Sequence, residues 1–211
     1  MRSAPRRELL PDDIATDAKA ALAEALGDDP FYRSITAGFG DDEAGRAACL
    51  QRYFRISLDE GAAIGRVVSA GGDGAAIWCL PGDDTVLAAA ATRKRTALAP
   101  LLGVAGFSNY RRIVESMDTN LPGAFDRSAW YLSILGVAPQ VRGGGLGARL
   151  LAPTLAEADA AHAPCFLETF NSRSLPFYER LGFRPSRPIV EAVTGAPYWV
   201  MVRAPQPRQT A

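Results

Sequence analysis

The chain holds little of the side-chain chemistry that most cofactor-free or metal enzymes rely on. It has one histidine, His162, and three well-separated cysteines, Cys49, Cys79 and Cys165, in 211 residues. No CxxC pair or Cys/His ligand spacing exists, so neither a zinc site nor a disulfide framework is expected, and the thiols read as free, buried groups in a reducing cytosol. No Cys or Ser has a plausible His base, which argues against a covalent enzyme intermediate. An excess of charge of either sign is also missing: Lys+Arg 23 and Asp+Glu 23 cancel, whereas a non-specific nucleic-acid binder is usually basic. The N-terminal MRSAPRRELLPDD has no apolar run behind its basic residues and does not read as a signal peptide. No stretch reaches 18 uninterrupted apolar residues, so no membrane span is expected. Neither an internal repeat nor a low-complexity linker is visible. What these absences leave is a cytoplasmic chain of ordinary globular composition, 48% hydrophobic and 22% charged. Its length suits one domain over 1–211, with 1–11 and 204–211 as flexible tails, monomeric or homodimeric.

The most informative stretch is Trp130 to Gly147, WYLSILGVAPQVRGGGLG, continued by ARLLAPTLAEADAA. It reads as a strand, a glycine turn and a helix. Trp130, Tyr131, Ile134, Leu135 and Val137 are apolar with no charge among them, as in a central strand buried on both faces. Gly136 marks a bulge or a close approach to the backbone. Arg142-Gly143-Gly144-Gly145-Leu146-Gly147 then enters the helix without side-chain bulk. The first N–H groups of a helix have no partner within it, and the dipole makes that end electropositive. The geometry suits a phosphate or pyrophosphate.

Three ligand motifs compete for these glycines. A P-loop requires Lys-Ser or Lys-Thr after them, and neither follows. A dinucleotide fingerprint is met by Gly143, Gly145 and Ala148, with Glu168 near the position of a ribose-binding acid, but the 64 residues after Gly147 (211 − 147) are too few for most of a doubly wound sheet. The third motif, R-x-x-G-x-G, is met by Arg142, Gly145 and Gly147 and is a signature for the pyrophosphate of coenzyme A. A glycine corner that binds nothing is the bland alternative.

Elsewhere, Asp12 or Asp13 caps a helix to Leu26, with Ile14, Ala18, Leu22, Ala25 and Leu26 on one side and Gly27 as its stop. Asp29-Pro30-Phe31-Tyr32 reads as a loop. A second helix spans 42–58, and Gly61 and Gly65 frame a turn. A strand over 66–70, the turn Gly71-Gly72-Asp73-Gly74 and a return strand over 75–80 carrying Trp78 form a hairpin. Asp83 or Asp84 caps a helix over 85–103, followed by a helix over 110–117 and a polar loop, 118–129, containing Pro122-Gly123. Past the central strand come a helix over 145–161 bent at Pro153, a strand over 165–169, a short helix capped by Ser174 and ended by Gly182, a strand from Phe183 and a last strand over 198–202. Strand, helix and strand over 130–170 predict a parallel pair with a right-handed crossover. Hairpins on either side make the whole a mixed α+β sheet with helices on both faces.

The segment Asn171-Ser172-Arg173-Ser174-Leu175-Pro176-Phe177-Tyr178-Glu179-Arg180-Leu181-Gly182-Phe183, together with R-G-G-G-L-G, resembles the GNAT superfamily of N-acetyltransferases. Over 129–183 the chain is particularly similar to the puromycin N-acetyltransferase branch, whereas 1–128 carries little resemblance. The resemblance implies a GNAT fold, α+β, whose splayed mixed sheet parts at its central parallel strands, here 130–137 and 164–169. It implies acetyl-CoA as cofactor and transfer of acetyl to a primary amine of a small molecule by direct attack in a ternary complex. The pantetheine arm would pair with backbone at Leu135 and Val137, the pyrophosphate would meet Gly143, Gly144, Gly145, Gly147 and Ala148 with Arg142 alongside, and Asn171 would contact the cofactor. Many relatives carry a long residue where this chain has Gly144. Tyr178, protonated at neutral pH with an ordinary pKa of about 10, is the expected general acid for the departing sulfur. No base is carried over by the resemblance; Glu168, at a strand end near the cleft, is the first candidate, ahead of Glu115 and Asp118, with His162 read as a surface residue. Phe31, Tyr32 and Trp78 are candidates to line the acceptor pocket. A non-catalytic acetyl-CoA sensor and a peptide N-terminal acetyltransferase are the alternative readings.

Overall fold

A computed structural model of the chain describes residues 12–121 and 128–207. The expected tail 1–11, the Pro122-Gly123 turn and the last four residues lie outside them. Six helices and seven strands follow in order: α1 (Asp12–Leu26), α2 (Pro30–Ile35), α3 (Glu43–Ile64), β1 (Gly65–Ser69), β2 (Gly74–Cys79), α4 (Asp84–Thr119), β3 (Trp130–Val137), α5 (Leu146–Ala160), β4 (Cys165–Thr169), α6 (Leu175–Arg180), β5 (Arg184–Pro185), β6 (Ile189–Val190) and β7 (Pro197–Arg203). The strands form one mixed sheet in the order β1-β2-β3-β4-β7-β5, with β6 also on β7. Among the described residues only β3 and β4 run parallel; their neighbours are antiparallel. The mixed sheet with its central parallel pair is the one expected from the sequence.

Helices cover both faces of the sheet, and β2 is accordingly buried along nearly its whole length, with alternate side chains entering opposite layers. Ala75 and Ile77 pack with Leu22, Phe54, Leu58 and Ile113 of α1, α3 and α4, whereas Ala76 and Trp78 pack with Leu150, Leu151 and Phe183 on the other side. Each large side chain fully removed from water contributes about 1.5–3 kcal/mol, so the two layers hold the sheet from opposite sides. Asp83 accepts hydrogen bonds from the N–H groups of Thr85 and Val86, capping α4 as expected. Gly103 breaks α4 with φ 66°, which explains why the sequence reads as two helices there.

Four local expectations need correction. Phe31 and Tyr32 lie in a helix, not a loop: Asp29 accepts from the N–H of Phe31 and caps α2, with Pro30 at its first position. Helix α3 runs through Gly61 to Ile64, because a Cβ at Gly61 would come 2.5 Å from Ile77 Cγ2, and only glycine lets the helix lie that close to β2. Ser174 makes no capping bond to α6; its hydroxyl donates to the Asn171 carbonyl, 2.7 Å. The strand expected from Phe183 is the two-residue β5, with Phe183 itself fully buried.

Candidate active site

The parallel strands are joined only at their starts. Trp130, Tyr131 and Leu132 lie opposite Cys165, Phe166 and Leu167. From there β3 continues to Val137 against β2, and β4 continues to Thr169 against β7. At the point of parting the β2–β3 register slips: Ile77 faces Ile134 and Trp78 faces Leu132, leaving Ser133 as an extra residue. This β-bulge bends and twists β3 where it leaves β4. Of the two expectations for Gly136, a bulge or a close approach, the structure shows the close approach: α1 crosses there, and a Cβ would lie 2.6 Å from Leu22 Cδ2 and 3.3 Å from Ala25 Cβ. Past the fork, the edge of β3 around Leu135 offers backbone hydrogen-bonding groups that β4 does not reach.

The glycine turn leads from the tip of β3 into α5. Gly143 (φ 84°) and Gly145 (φ 75°) are left-handed, the conformation that glycine adopts without penalty. Gly145 is the N-cap of α5 and provides no side-chain bond, so the N–H groups of Leu146, Gly147 and Ala148 have no partner within the helix. Gly147 is small for packing: its Cβ would meet the Phe177 ring at 3.1 Å. Gly144 is exposed, and its carbonyl accepts from Arg149 Nη1, 2.8 Å. Arg149 was not singled out by the sequence motif. Its signal is electrostatic: a cation in the first turn opposes the helix dipole by roughly 0.3–1 kcal/mol unless an anion shares the site.

Two expected cofactor residues have other partners. Arg142 donates through Nε to the Val137 carbonyl, 3.0 Å, and through Nη2 to the Ala25 carbonyl, 2.9 Å, tying the tip of β3 to the end of α1. The Val137 carbonyl is therefore occupied by Arg142. Asn171 Oδ1 accepts from the N–H of Arg173, 3.1 Å, as an ordinary capping asparagine.

A cavity of about 290 Å³ opens at the fork, reached by Leu132 to Leu135 of β3, Phe166 to Thr169 of β4 and Tyr178 of α6. Glu168 stands in it. Its Oε2 accepts the Tyr131 hydroxyl, 3.0 Å, and its Oε1 is buried with no hydrogen-bond partner. Tyr131 is itself held by stacking on Phe166, centroids 4.6 Å apart and planes 15° from parallel. Burial, helped by the Asp118 carboxylate, raises the Glu168 pKa to about 7 against the lowering effect of the Tyr131 hydrogen bond. Tyr178 is buried, and burial together with the Asp29 carboxylate pushes its hydroxyl further above the ordinary value, so it holds its proton. Asp29 is raised to about 6 by burial, offset in part by the N–H of Phe31.

Phe31 and Tyr32 line this cavity. Trp78 does not: its ring is fully buried in the opposite layer, against the α5 side of the sheet. Strand alternation places it there, because Ile77 and Cys79 are the residues of β2 that face the α3 side and the cavity. Asp118 is at the cavity's exposed rim, whereas Glu115 is outside it. His162 is exposed after α5, as expected. The sequence did not point to Lys94 and Glu60, which form an enclosed ion pair in the cavity wall, 2.6 Å, with side chains 11% and 12% exposed. Lys94 also lies over the Tyr53 ring, 5.9 Å from its centroid. The pair spans 34 positions of sequence, and no motif connects its members. Among the described residues no group of His, Cys, Asp and Glu could hold a metal ion, and no helix is long and apolar enough to cross a membrane.

Residues 103–185 match the family model of the acetyltransferase (GNAT) domain. The fold is similar to a histone acetyltransferase HPA2 and related acetyltransferase from Corynebacterium glutamicum, 22% identical over 96% of this chain and 97% of that one, TM-score 0.63. It is also similar to arylalkylamine N-acetyltransferase 2 from Aedes aegypti, 15% identical over 94% and 98% of the two chains, TM-score 0.58. The two structures share the fold and the family model matches residues 103–185; none of the three selects the puromycin branch. The matched segment contains the fork, the glycine turn, Glu168 and Tyr178, so the similarity to the acetyltransferase (GNAT) domain falls on the part of the chain that builds the candidate site.

Proposed function

We propose that the chain acetylates the primary amine of a small molecule, by direct attack in a ternary complex, with Glu168 as base and Tyr178 as acid. The observation that carries this reading is the fork itself: a carboxylate with one unpartnered, buried oxygen stands where β3 and β4 part. The residues present fit acetyl-CoA in two respects. The edge of β3 beyond Leu132 lacks a strand partner on the β4 side, and the start of α5 offers uncapped N–H groups between left-handed glycines. Leu135 would hold the pantetheine arm, and Gly143 to Ala148 with Arg149 would hold the phosphates. Arg142 supports the turn from behind, and the Asn171 cap shapes the segment that leads to α6. Acetyl-CoA, when bound, supplies the acetyl thioester.

The side chains divide the proton work between them. Glu168 takes a proton from the ammonium form of the acceptor through Oε1, while Tyr131 holds Oε2 in place. With a pKa of about 7, it is basic enough to accept a proton and acidic enough to pass it to water. The Tyr178 hydroxyl would give its proton to the departing sulfur of the thioester as a C–N bond replaced the C–S bond. The second proton lost by the nitrogen restores Tyr178. Glu168 faces Tyr131 from β3, Asp118 from α4 and Tyr198 from β7; none is a cation, so nothing there returns its pKa to the ordinary carboxylate range. The free thiols Cys49, Cys79 and Cys165 are consistent with a cytoplasmic setting. Burial raises Cys79 to about 12 and Cys165 to about 11, so neither is a ready nucleophile.

A thermal-shift titration with acetyl-CoA, run beside NADH and NADPH, tests the cofactor. A ligand at about 100 times its Kd stabilises the fold by roughly 2.7 kcal/mol. A shift with acetyl-CoA, followed by amine-dependent release of CoA thiol, is expected. A shift with the nicotinamide cofactors alone returns the glycines to the dinucleotide motif, and binding of acetyl-CoA without turnover of any amine makes the chain a sensor.

A further inference from the structure

The chemistry of the cavity walls specifies more than a small amine. Phe31, Tyr32, Tyr53 and Tyr110 meet edge to face, with centroids 5.1 Å apart for Phe31–Tyr32, 5.5 Å for Tyr32–Tyr53 and 6.2 Å for Phe31–Tyr110. Such contacts lock rings into a rigid aromatic wall. The charge in the same wall is one-sided. Four carboxylates line it, Asp29, Glu60, Asp118 and Glu168, against a single cation, Lys94. Lys94 is already bound to Glu60 at 2.6 Å, which leaves three carboxylates without a cation among the cavity-lining residues.

We propose that the acceptor is a small arylalkylamine carrying no carboxylate, whose ammonium group enters among Asp29, Asp118 and Glu168 while its ring lies on the Phe31–Tyr32–Tyr53 wall. This rests on the acetyl-transfer reading of the same cavity. An ammonium group is attracted to both features, by charge and by the faces of the rings. A free α-amino acid brings a carboxylate into a pocket already rich in them, and like-charge juxtaposition is disfavoured by several kcal/mol. Size points the same way: about 290 Å³ is at the lower end of the range of about 300–1,000 Å³ for small-molecule pockets, so a nucleoside-sized acceptor is disfavoured.

Two readouts on the full-length protein test this. The first is release of CoA thiol from acetyl-CoA with matched pairs, 2-phenylethylamine against phenylalanine and tryptamine against tryptophan, with spermidine, a tetrapeptide and puromycin alongside. The second is thermal stabilisation by each amine without acetyl-CoA. The expected result is kcat/KM for the arylalkylamines about 10²-fold or more above the matched amino acids, the scale of several kcal/mol of repulsion. Asp29→Asn, which keeps a capping side chain, should raise the arylalkylamine KM about 10-fold and narrow the discrimination while the acetyl-CoA KM stays unchanged. Preferential turnover of amino acids, spermidine, peptide or puromycin overturns the proposed acceptor and leaves acetyl transfer standing. Stabilisation by arylalkylamines with no turnover of any amine supports the ligand class and overturns acetyl transfer. Neither stabilisation nor turnover with arylalkylamines overturns the proposal outright.

Discussion

The two ends of the cavity are built from different kinds of information. The fork end comes from one continuous stretch, β3 through α6, and works largely through backbone: parted strands, left-handed glycines and an uncapped helix start. The far end is assembled from side chains on α2, α3, β2 and α4, Phe31, Tyr53, Glu60, Cys79 and Lys94 among them, and its properties are charge balance and aromatic surface. On the proposed reading, backbone geometry would serve a feature common to every turnover, the thioester and its phosphates. Side-chain chemistry would serve the amine, the partner that distinguishes one acetyltransferase from another. The expected consequence is that substitutions at the two ends separate kinetically, with fork-end changes appearing in catalysis or acetyl-CoA affinity and far-end changes in amine affinity.

The largest effect is expected where the two ends meet. Glu168→Gln keeps the acceptor for the Tyr131 hydroxyl and removes the base, and kcat should fall about 10²–10⁴-fold, the range for losing a general base, with acetyl-CoA binding by thermal shift unchanged. Tyr178→Phe should lower kcat about 10²-fold on the same grounds, again without loss of acetyl-CoA affinity; an unchanged kcat where chemistry is rate-limiting would remove the hydroxyl from the mechanism. Arg149→Ala is a pure test of the cofactor end. It should raise the acetyl-CoA KM about 10-fold, since a charge-assisted hydrogen bond contributes about 1.5–3 kcal/mol when well formed and less at an exposed site, and leave the amine KM alone. Arg142→Ala separates the glycine turn from its support. With its guanidinium bonded to Ala25 and Val137, the expected change is a lower Tm by differential scanning calorimetry that exceeds any change in the acetyl-CoA KM. The smallest and most specific effect belongs to Tyr131→Phe. Its hydrogen bond lowers the Glu168 pKa, so removal should move the acidic limb of the kcat/KM profile to higher pH, a displacement that a merely looser fold would not produce.

The same contrast decides what could be read before the structure was known. Helix α1, the capping role of Asp83, β3, α5 and β4 follow from local signals, a cap, an apolar run or a glycine stop, and each is where its residues predict. Tyr178 and Glu168 reach one cavity because the parallel pair and the crossover bring their elements together, as the strand–helix–strand pattern implies. The errors share a cause: a residue explained by its sequence neighbours was determined by a distant element. Gly61 reads as a turn residue, yet it is small because Ile77 packs on it. The bulge is at Ser133, which carries no local signal, whereas Gly136, read as a bulge or a close approach, is the close approach, where α1 crosses. Arg142, singled out for the phosphates, also ties the tip of β3 to the end of α1, a partner that its motif does not name. Trp78 reads as a pocket aromatic, but strand alternation turns it to the other layer. The Glu60–Lys94 pair had no local signal, because a helix charge becomes legible as a buried pair only when its partner's location is known.

The most direct test of this account is the pH dependence of kcat/KM for amine acetylation, which reports the free protein, measured in parallel for the native protein and Glu168→Gln. Glu168 must be ionised to accept the proton, and its raised pKa means that the active form is lost as pH falls through about 7. The account predicts an acidic limb near that pH in the native protein and no such limb in the residual activity of the variant. A limb that persists in Glu168→Gln, or a native profile flat through that region with chemistry rate-limiting, would contradict it and place the base elsewhere in the cavity.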